Sequence, residues 1–360
     1  MSFRTVHDHA IPTFRPHPLL RSGNLQTLAS VYFPGSLVEY QARQHHVLLD
    51  DDDRLVLHDD CPAEWAAGDP ATLLMHGLGG CHQSVYMRRT AAKLCEHGVR
   101  VFRMDLRGCG AGVELARLPY HSGRSADAAA ALRYVAEQCP GSSVTLVGYS
   151  LGGNIALKLA GESAGSPPDN LCRVMAVCPP SDLSACSAWI GRLRNRGYDR
   201  YFAKLLGKQL LDRKARAPQA VSVDFARRPR QLREIDDWFT APVCGFGTAE
   251  NYYRQSSSAP LLPDIRVPTL IVAAADDPLV PRQMFEALRL SPTTTLRVTR
   301  HGGHLGFIGT AGSDPDRRWL DWRVVDWVLH GPSFHSMDAQ RPHHVNPAPA
   351  EHAPSAGVRT

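Results

Sequence analysis

Long apolar runs are missing from this chain, and lysine is scarce. No stretch in its 360 residues reaches the roughly 20 apolar residues that a spanning helix needs, so no stable membrane anchor is expected. The opening residues, Met1 to His9, lack the hydrophobic segment of a secretory leader. Of the 40 basic residues only Lys93, Lys158, Lys204, Lys208 and Lys214 are lysines. The arginines are scattered and the formal net charge is only +5. A dense basic stripe with interleaved aromatics is absent, which argues against a nucleic-acid partner. The nine cysteines (Cys61, Cys81, Cys95, Cys109, Cys139, Cys172, Cys178, Cys186 and Cys244) are odd in number, and no two are spaced C-x-x-C. That pattern argues against a zinc ribbon and a disulfide framework and favours a reducing, cytoplasmic compartment. No metal or organic cofactor site is expected. The run Asp50-Asp51-Asp52-Asp53 lacks the alternating ligands and central glycine of a calcium loop, and reads as a solvated hairpin turn.

What is present is enough apolar material for a core, 43% of the chain against 21% charged. Residues 44–49 and 55–58 read as a pair of strands. From there a rhythm sets in. Short β-favouring runs at 72–75, 99–104, 144–147 and 172–177 alternate with helical patterns at 86–98, 124–138 and 154–160. Such alternation predicts an α/β fold, a mostly parallel sheet with helices on both faces. The rhythm breaks after Pro179-Pro180 and resumes with a strand at 268–274, a helix at 282–290, a strand at 295–299 and a helix at 319–329. Residues 43–180 and 261–330 are therefore expected to form one core. Residues 181–260, with helical pieces and several aromatics, read as a helical cap inserted over its functional face. Residues 1–42, rich in proline and turn formers, read as an extension packing on the core without a regular element. Residues 331–360, rich in Pro, His and Ala, read as a disordered tail.

Four loops at the ends of predicted strands carry chemistry-bearing residues. His76-Gly77-Leu78-Gly79-Gly80 follows the strand at 72–75, and such a glycine loop can turn backbone N–H groups towards an anion. The Lys-Ser/Thr of a nucleotide phosphate loop is missing from it. Gly148-Tyr149-Ser150-Leu151-Gly152 lies between a strand and a helix, the context in which Gly-x-Ser-x-Gly holds a serine out on a sharp turn. Asp276-Asp277-Pro278 and His301-Gly302-Gly303-His304 end the two last strands. A serine hydroxyl needs a base and a group that orients the base. Ser150, Asp277 and His304 supply these in the order Ser, Asp, His, with Asp276 and His301 as rivals for the acid and the base.

These motifs, together with Asn24-Leu25-Gln26-Thr27-Leu28, Asn154, Tyr252-Tyr253 and Leu305-Gly306-Phe307, resemble the α/β-hydrolase superfamily. More narrowly, the chain is similar to its YheT-like branch, the AB hydrolase 4 family of predicted esterases, from about Phe14 to Leu329. The resemblance implies an α/β-hydrolase fold and a serine hydrolase acting on small-molecule carboxylic esters, of short to medium acyl chain or acylglycerols. Ser150 would be the nucleophile, His304 the base and Asp277 its orienting acid. The N–H groups of Leu78 and Leu151 would form the oxyanion hole. The same residues would serve acyl transfer to another alcohol, and the fold also hosts non-catalytic scaffolds. The motifs are specific to the fold, not to a substrate or an oligomeric state.

Overall fold

The computed structural model describes residues 11–35, 37, 41–168, 170–221 and 229–332. The expected tail beyond 332 lies outside the described residues. Eight strands form one sheet: β1 Arg43–Leu48, β2 Arg54–Asp60, β3 Ala71–Met75, β4 Arg100–Asp105, β5 Val144–Tyr149, β6 Leu171–Val177, β7 Thr269–Ala274 and β8 Thr294–Thr299. Their order across the sheet is β1-β2-β4-β3-β5-β6-β7-β8. Only β2 runs against the rest, pairing antiparallel with both β1 and β4. The central strands β3, β5 and β7 are buried at every residue, because helices cover both faces.

Eleven helices carry α labels. They are α1 Gly23–Tyr32, α2 Val85–Glu96, α3 Ser125–Gln138, α4 Leu151–Glu162, α5 Leu183–Ile190, α6 Arg196–Arg216, α7 Leu232–Ile235, α8 Ala241–Val243, α9 Ala249–Ser256, α10 Arg282–Glu286 and α11 Trp319–His330. Side chains of alternate strand residues feed two separate cores. Leu73 and Met75 pack with α3, α4 and α10, whereas Leu74 packs with α2 and α11. Among the described residues no helix is long and apolar enough to cross a membrane.

Two expectations need correction. The region before Arg43 does contain a regular element, α1. Its start is capped by Ser22, whose Oγ accepts from the Leu25 N–H at 3.2 Å. Its Leu25, Leu28, Val31 and Tyr32 are exposed, so the helix shows no apolar stripe facing the core. It is held by polar contacts instead. Gln26 Nε2 donates to the carbonyls of Leu20 and Ile308 at 2.7 and 3.0 Å, and its Oε1 accepts from the Ile308 N–H at 2.7 Å. Periodicity cannot reveal a helix of that kind. The second correction concerns the aspartate run. It is a hairpin turn between β1 and β2, but Asp53 at its end is 2% exposed and not solvated. Arg107 is the reason. Its Nη1 donates to Asp51 and Asp53 at 2.5 and 2.7 Å, and its Nε and Nη2 donate to Asp127 of α3 at 3.0 and 2.7 Å. One guanidinium thus ties the hairpin and α3 to the loop after β4.

A second buried polar centre forms at the end of β4. The Asp105 carboxylate lies 2.9 Å from His58 Nε2 and 2.8 Å from His82 Nδ1, and accepts from the N–H groups of His82 and Ala111 at 2.6 and 2.8 Å. Burial alone would raise this carboxyl. The hydrogen bonds and charges of the histidines outweigh it and hold the group well below the usual carboxylate range. Burial pushes the His58 imidazole down, against the pull of Asp105, and pushes His76 down as well. His76 Nε2 accepts from the Leu106 N–H at 3.1 Å, which requires a free lone pair there, while Nδ1 lies 2.8 Å from the Gly77 carbonyl. Neutral His76 and the Asp105 cluster therefore brace both ends of the glycine loop.

The sign of the pH dependence follows. The folded-state values of His58 and His76 are depressed, so their contribution is complete above the unfolded histidine value of about 6.5 and is lost as pH falls below it. Each ring is expected to remove up to about 1.4 kcal/mol of stability per pH unit in that range. Urea unfolding at pH 7.5, 6 and 5 should show a midpoint that falls steadily; a flat profile would mean that neither ring is depressed in the fold, and a rising one that the rings are charged there. Removing the Arg107 cation while leaving its buried acids, as in Arg107→Met, is expected to cost about 3–5 kcal/mol. The same urea titration at pH 7.5 measures it, and a loss below about 1 kcal/mol, the ordinary worth of an exposed pair, would mean that Arg107 does not tie these segments together.

Candidate active site

The serine turn is built by close approach. A Cβ on Gly148 would lie 2.2 Å from the Gly152 carbonyl oxygen, and one on Gly152 would lie 2.6 Å from that of Met75. Only glycine lets β3, β5 and α4 cross at this separation. Ser150 between them has φ +52°, a left-handed conformation rare for a side-chain-bearing residue. It caps α4, and its own N–H donates to the Val177 carbonyl at 2.8 Å.

His304 Nε2 lies 2.8 Å from Ser150 Oγ, and His304 Nδ1 lies 2.8 Å from Asp277 Oδ2. The other Asp277 oxygen accepts from the N–H groups of Leu279 and Val280 at 2.7 and 3.0 Å. Asp277 is 4% exposed and His304 8%. The rivals face elsewhere. Asp276 Oδ1 accepts from the Gly303 N–H at 2.9 Å, and Oδ2 lies 3.4 Å from His301 Nδ1. The structure therefore gathers Ser150, His304 and Asp277 and leaves Asp276 and His301 as a pair supporting the loop.

The histidine loop is positioned by α1, a role that reading the sequence missed. The His304 N–H donates to Thr27 Oγ1 at 2.8 Å, and Thr27 Oγ1 in turn donates to the Gly23 carbonyl at 2.7 Å. A Cβ on Gly303 would lie 2.2 Å from the Gly23 carbonyl oxygen, and one on Gly23 would lie 1.8 Å from that of Asp276. The motif at 24–28 was the available signal, but no periodicity attached it to a loop some 280 positions away.

The glycine loop stands on the other side of the serine. A Cβ on Gly77 would be 3.0 Å from that of Ser150. The Gly77 N–H donates to Tyr86 Oη at 2.9 Å and the Gly79 N–H to Tyr120 Oη at 3.0 Å. Between them the Leu78 N–H has no acceptor among the described residues. Leu151 opens α4, where the first N–H groups have no partner inside the helix.

A cleft open to solvent begins at Leu78 and Leu151. Its walls come from the core (Gly108, Pro119, Tyr120, His121) and from the segment 181–260, which supplies Leu206, Gln209, Leu210 and Arg213 of α6 together with Ile235, Asp236, Phe239, Thr240 and Tyr252. Residues 236–240 form a π-helical turn, a form often found at functional sites. Burial raises the Asp236 carboxyl to about 6, against the hydrogen bond from Tyr253 Oη at 2.7 Å.

Two trios of side chains among the described residues come close enough to suggest a metal. In His58, His82 and Asp105 the two rings stack with 3.4 Å between centroids and 14° between planes. Both rings turn a nitrogen to the same Asp105 oxygen, His58 Nε2 at 2.9 Å and His82 Nδ1 at 2.8 Å, so the trio is already joined by hydrogen bonds. In Cys178, Asp277 and His304, burial pushes the thiol well above its ordinary value, away from the thiolate that binds metal.

Comparison with known proteins agrees with this architecture. The family model for the alpha/beta hydrolase fold matches residues 70–310. The chain is 35% identical over 271 residues to "Putative esterase YheT" of Escherichia coli, covering 74% of this chain and 78% of that protein. It is 25% identical over 327 residues to a monoacylglycerol lipase of Saccharomyces cerevisiae, covering 88% and 65%. An esterase of Pyrococcus furiosus superposes with a TM-score of 0.51 at 16% identity, over 81% of this chain and 92% of that one, and so shares the fold. The chain belongs to the alpha/beta hydrolase fold family, as an enzyme of the esterase and lipase type.

Proposed function

We propose that this chain hydrolyses carboxylic esters of short to medium acyl chain, or acylglycerols, through Ser150, His304 and Asp277 and an acyl-enzyme intermediate. The observation that carries the reading is the unbroken chain of contacts from Asp277 Oδ2 to His304 Nδ1 and from His304 Nε2 to Ser150 Oγ, each 2.8 Å. In this reading Ser150 Oγ attacks the ester carbonyl while His304 Nε2 takes its proton. The imidazolium formed is stabilised by Asp277 and returns the proton to the leaving alcohol. A water then repeats the sequence against the acyl-enzyme, releasing the acid and freeing Ser150.

The developing oxyanion would accept hydrogen bonds from the N–H groups of Leu78 and Leu151. The unengaged Leu78 amide and the start of α4 support that assignment. The apolar walls of the cleft, Leu206, Leu210, Ile235 and Phe239, favour an acyl chain, and their origin in residues 181–260 supports reading that segment as a cap.

Steady-state hydrolysis of p-nitrophenyl esters from acetate to palmitate tests the proposal. Ser150→Ala is expected to lose at least about 10⁴-fold in kcat, and Asp277→Asn about 10⁴-fold with the fold intact. Asp276→Asn should lose much less; a larger loss there would transfer the acid role. Enlarging the cleft with Phe239→Ala should move the optimum to longer chains, and narrowing it with Leu210→Trp should move it to shorter ones. If the optimum stays put in both variants, the acyl chain lies elsewhere.

A further inference from the structure

The cleft contains a cation that the ester chemistry does not use. Arg213 is 5% exposed. Its Nη2 donates to the Ala116 carbonyl at 2.7 Å, but its Nε and Nη1 are buried with no hydrogen-bond partner among the described residues. The other deeply buried arginines are engaged differently: Arg89, Arg103, Arg107 and Arg323 each hold an aspartate. A guanidinium does not shed its proton in a protein, so this one remains charged, out of water and without an ion-pair partner among the described residues. Such a group is costly unless something else brings the charge.

The surroundings are shaped to keep it there. Gly108, with φ +69°, faces it so closely that a Cβ would lie 1.9 Å from Arg213 Nη1. His121, the other basic residue of the cleft, is held well below its ordinary value by burial and is neutral. Asp236 shares the wall but forms no ion pair with Arg213; its Oδ2 accepts from Tyr253 Oη instead. Among the described residues lining the cleft, Arg213 is thus the single cation.

Its place along the cleft is set by α6. Leu206, Gln209, Leu210 and Arg213 recur at the spacing that lines one helix face. Gln209 Nε2 donates to the Gly79 carbonyl at 3.1 Å, beside the loop that faces Ser150. Arg213 stands one turn further on, about 6 Å along the axis.

We propose that Arg213 recognises an anionic group on the substrate, so that the preferred ester carries a carboxylate-like charge at the far end of the arm lying along α6. This rests on the ester-hydrolase reading above and narrows it to a charged substrate class. The carboxylate would pair with the guanidinium where it lines the cleft, while the apolar side chains of Leu206 and Leu210 cover the methylenes between it and the scissile bond.

Two matched pairs of esters test it, one for each arm. The mono-p-nitrophenyl ester of adipic acid is compared with p-nitrophenyl hexanoate, and the butanoate ester of ω-hydroxyhexanoate with hexyl butanoate. Wild type should prefer the charged member of one pair by roughly 10- to 100-fold in kcat/KM, as a charge-assisted bond in a dry site gives. The preference should collapse in Arg213→Gln and return in part in Arg213→Lys, which keeps the charge without the fork. No preference for either charged ester in wild type, or one that survives Arg213→Gln, overturns the proposal. Wild type alone decides the first point, should the variants not fold. The underlying reading fails separately: Ser150-dependent hydrolysis of the neutral esters upholds it whatever the charge result. Should no ester be cleaved, sodium hexanoate against the uncharged hexanamide decides in a thermal-shift assay at matched ionic strength. Stabilisation by hexanoate alone, absent in Arg213→Gln, supports the anion site, and equal effects of the two compounds overturn it.

Discussion

The architecture depends on one steric constraint, the crossing of β3, β5 and α4 around Ser150. A carbonyl of β3 stands where a Cβ of Gly152 would be, and a carbonyl of α4 where a Cβ of Gly148 would be. Because the backbones touch, the turn between β5 and α4 has no slack, and Ser150 is forced to φ +52°. The strain is local; the buried strands on either side hold it in place. The same contact draws the end of β3 in, which brings the glycine loop against the serine. The position of Ser150 and that of the amides around it are thus products of a single packing event.

Around that crossing, buried polar groups act as struts. Asp105 with His58 and His82 fixes one end of the glycine loop, and His76 fixes the other. Arg107 joins the β1–β2 hairpin and α3 to the loop after β4. Thr27 and Gln26 of α1 hold the loop that carries His304. Each strut satisfies groups that would otherwise be buried alone, and each links segments far apart in the chain. Arg213 departs from this rule, since among the described residues it holds only the Ala116 carbonyl, and that is the ground for proposing it as a place for a ligand.

Much of this was legible in the chain. Runs of β-favouring residues and helical periods report burial directly, so the order of strands and helices followed from pattern alone. Glycines at 148 and 152 reported the close crossing, since no other residue fits. The order Ser, Asp, His along the chain and the loop motifs around it pointed to the three side chains that meet. Less legible was anything held by polar contacts. The helix α1 has exposed leucines and so no stripe to read. Asp53 lies in a run that looks like surface, and its burial depends on an arginine more than fifty positions away.

The sequence by itself determined the alternation of elements, the sharp turn at Ser150 and the set of candidate residues, because these rest on local sterics and on periodic burial. Only the tertiary structure decided between neighbours in the chain. Asp277 and Asp276 are adjacent, as His304 and His301 nearly are, and composition cannot say which of them turns towards Ser150. That choice is made by Leu279, Val280, Thr27 and Gly303, whose backbone and side-chain groups hold each carboxylate and ring in one direction. That Arg213 has no ion-pair partner among the described residues is likewise a tertiary fact, since a charge is recognised as lacking a partner only once its neighbours are placed.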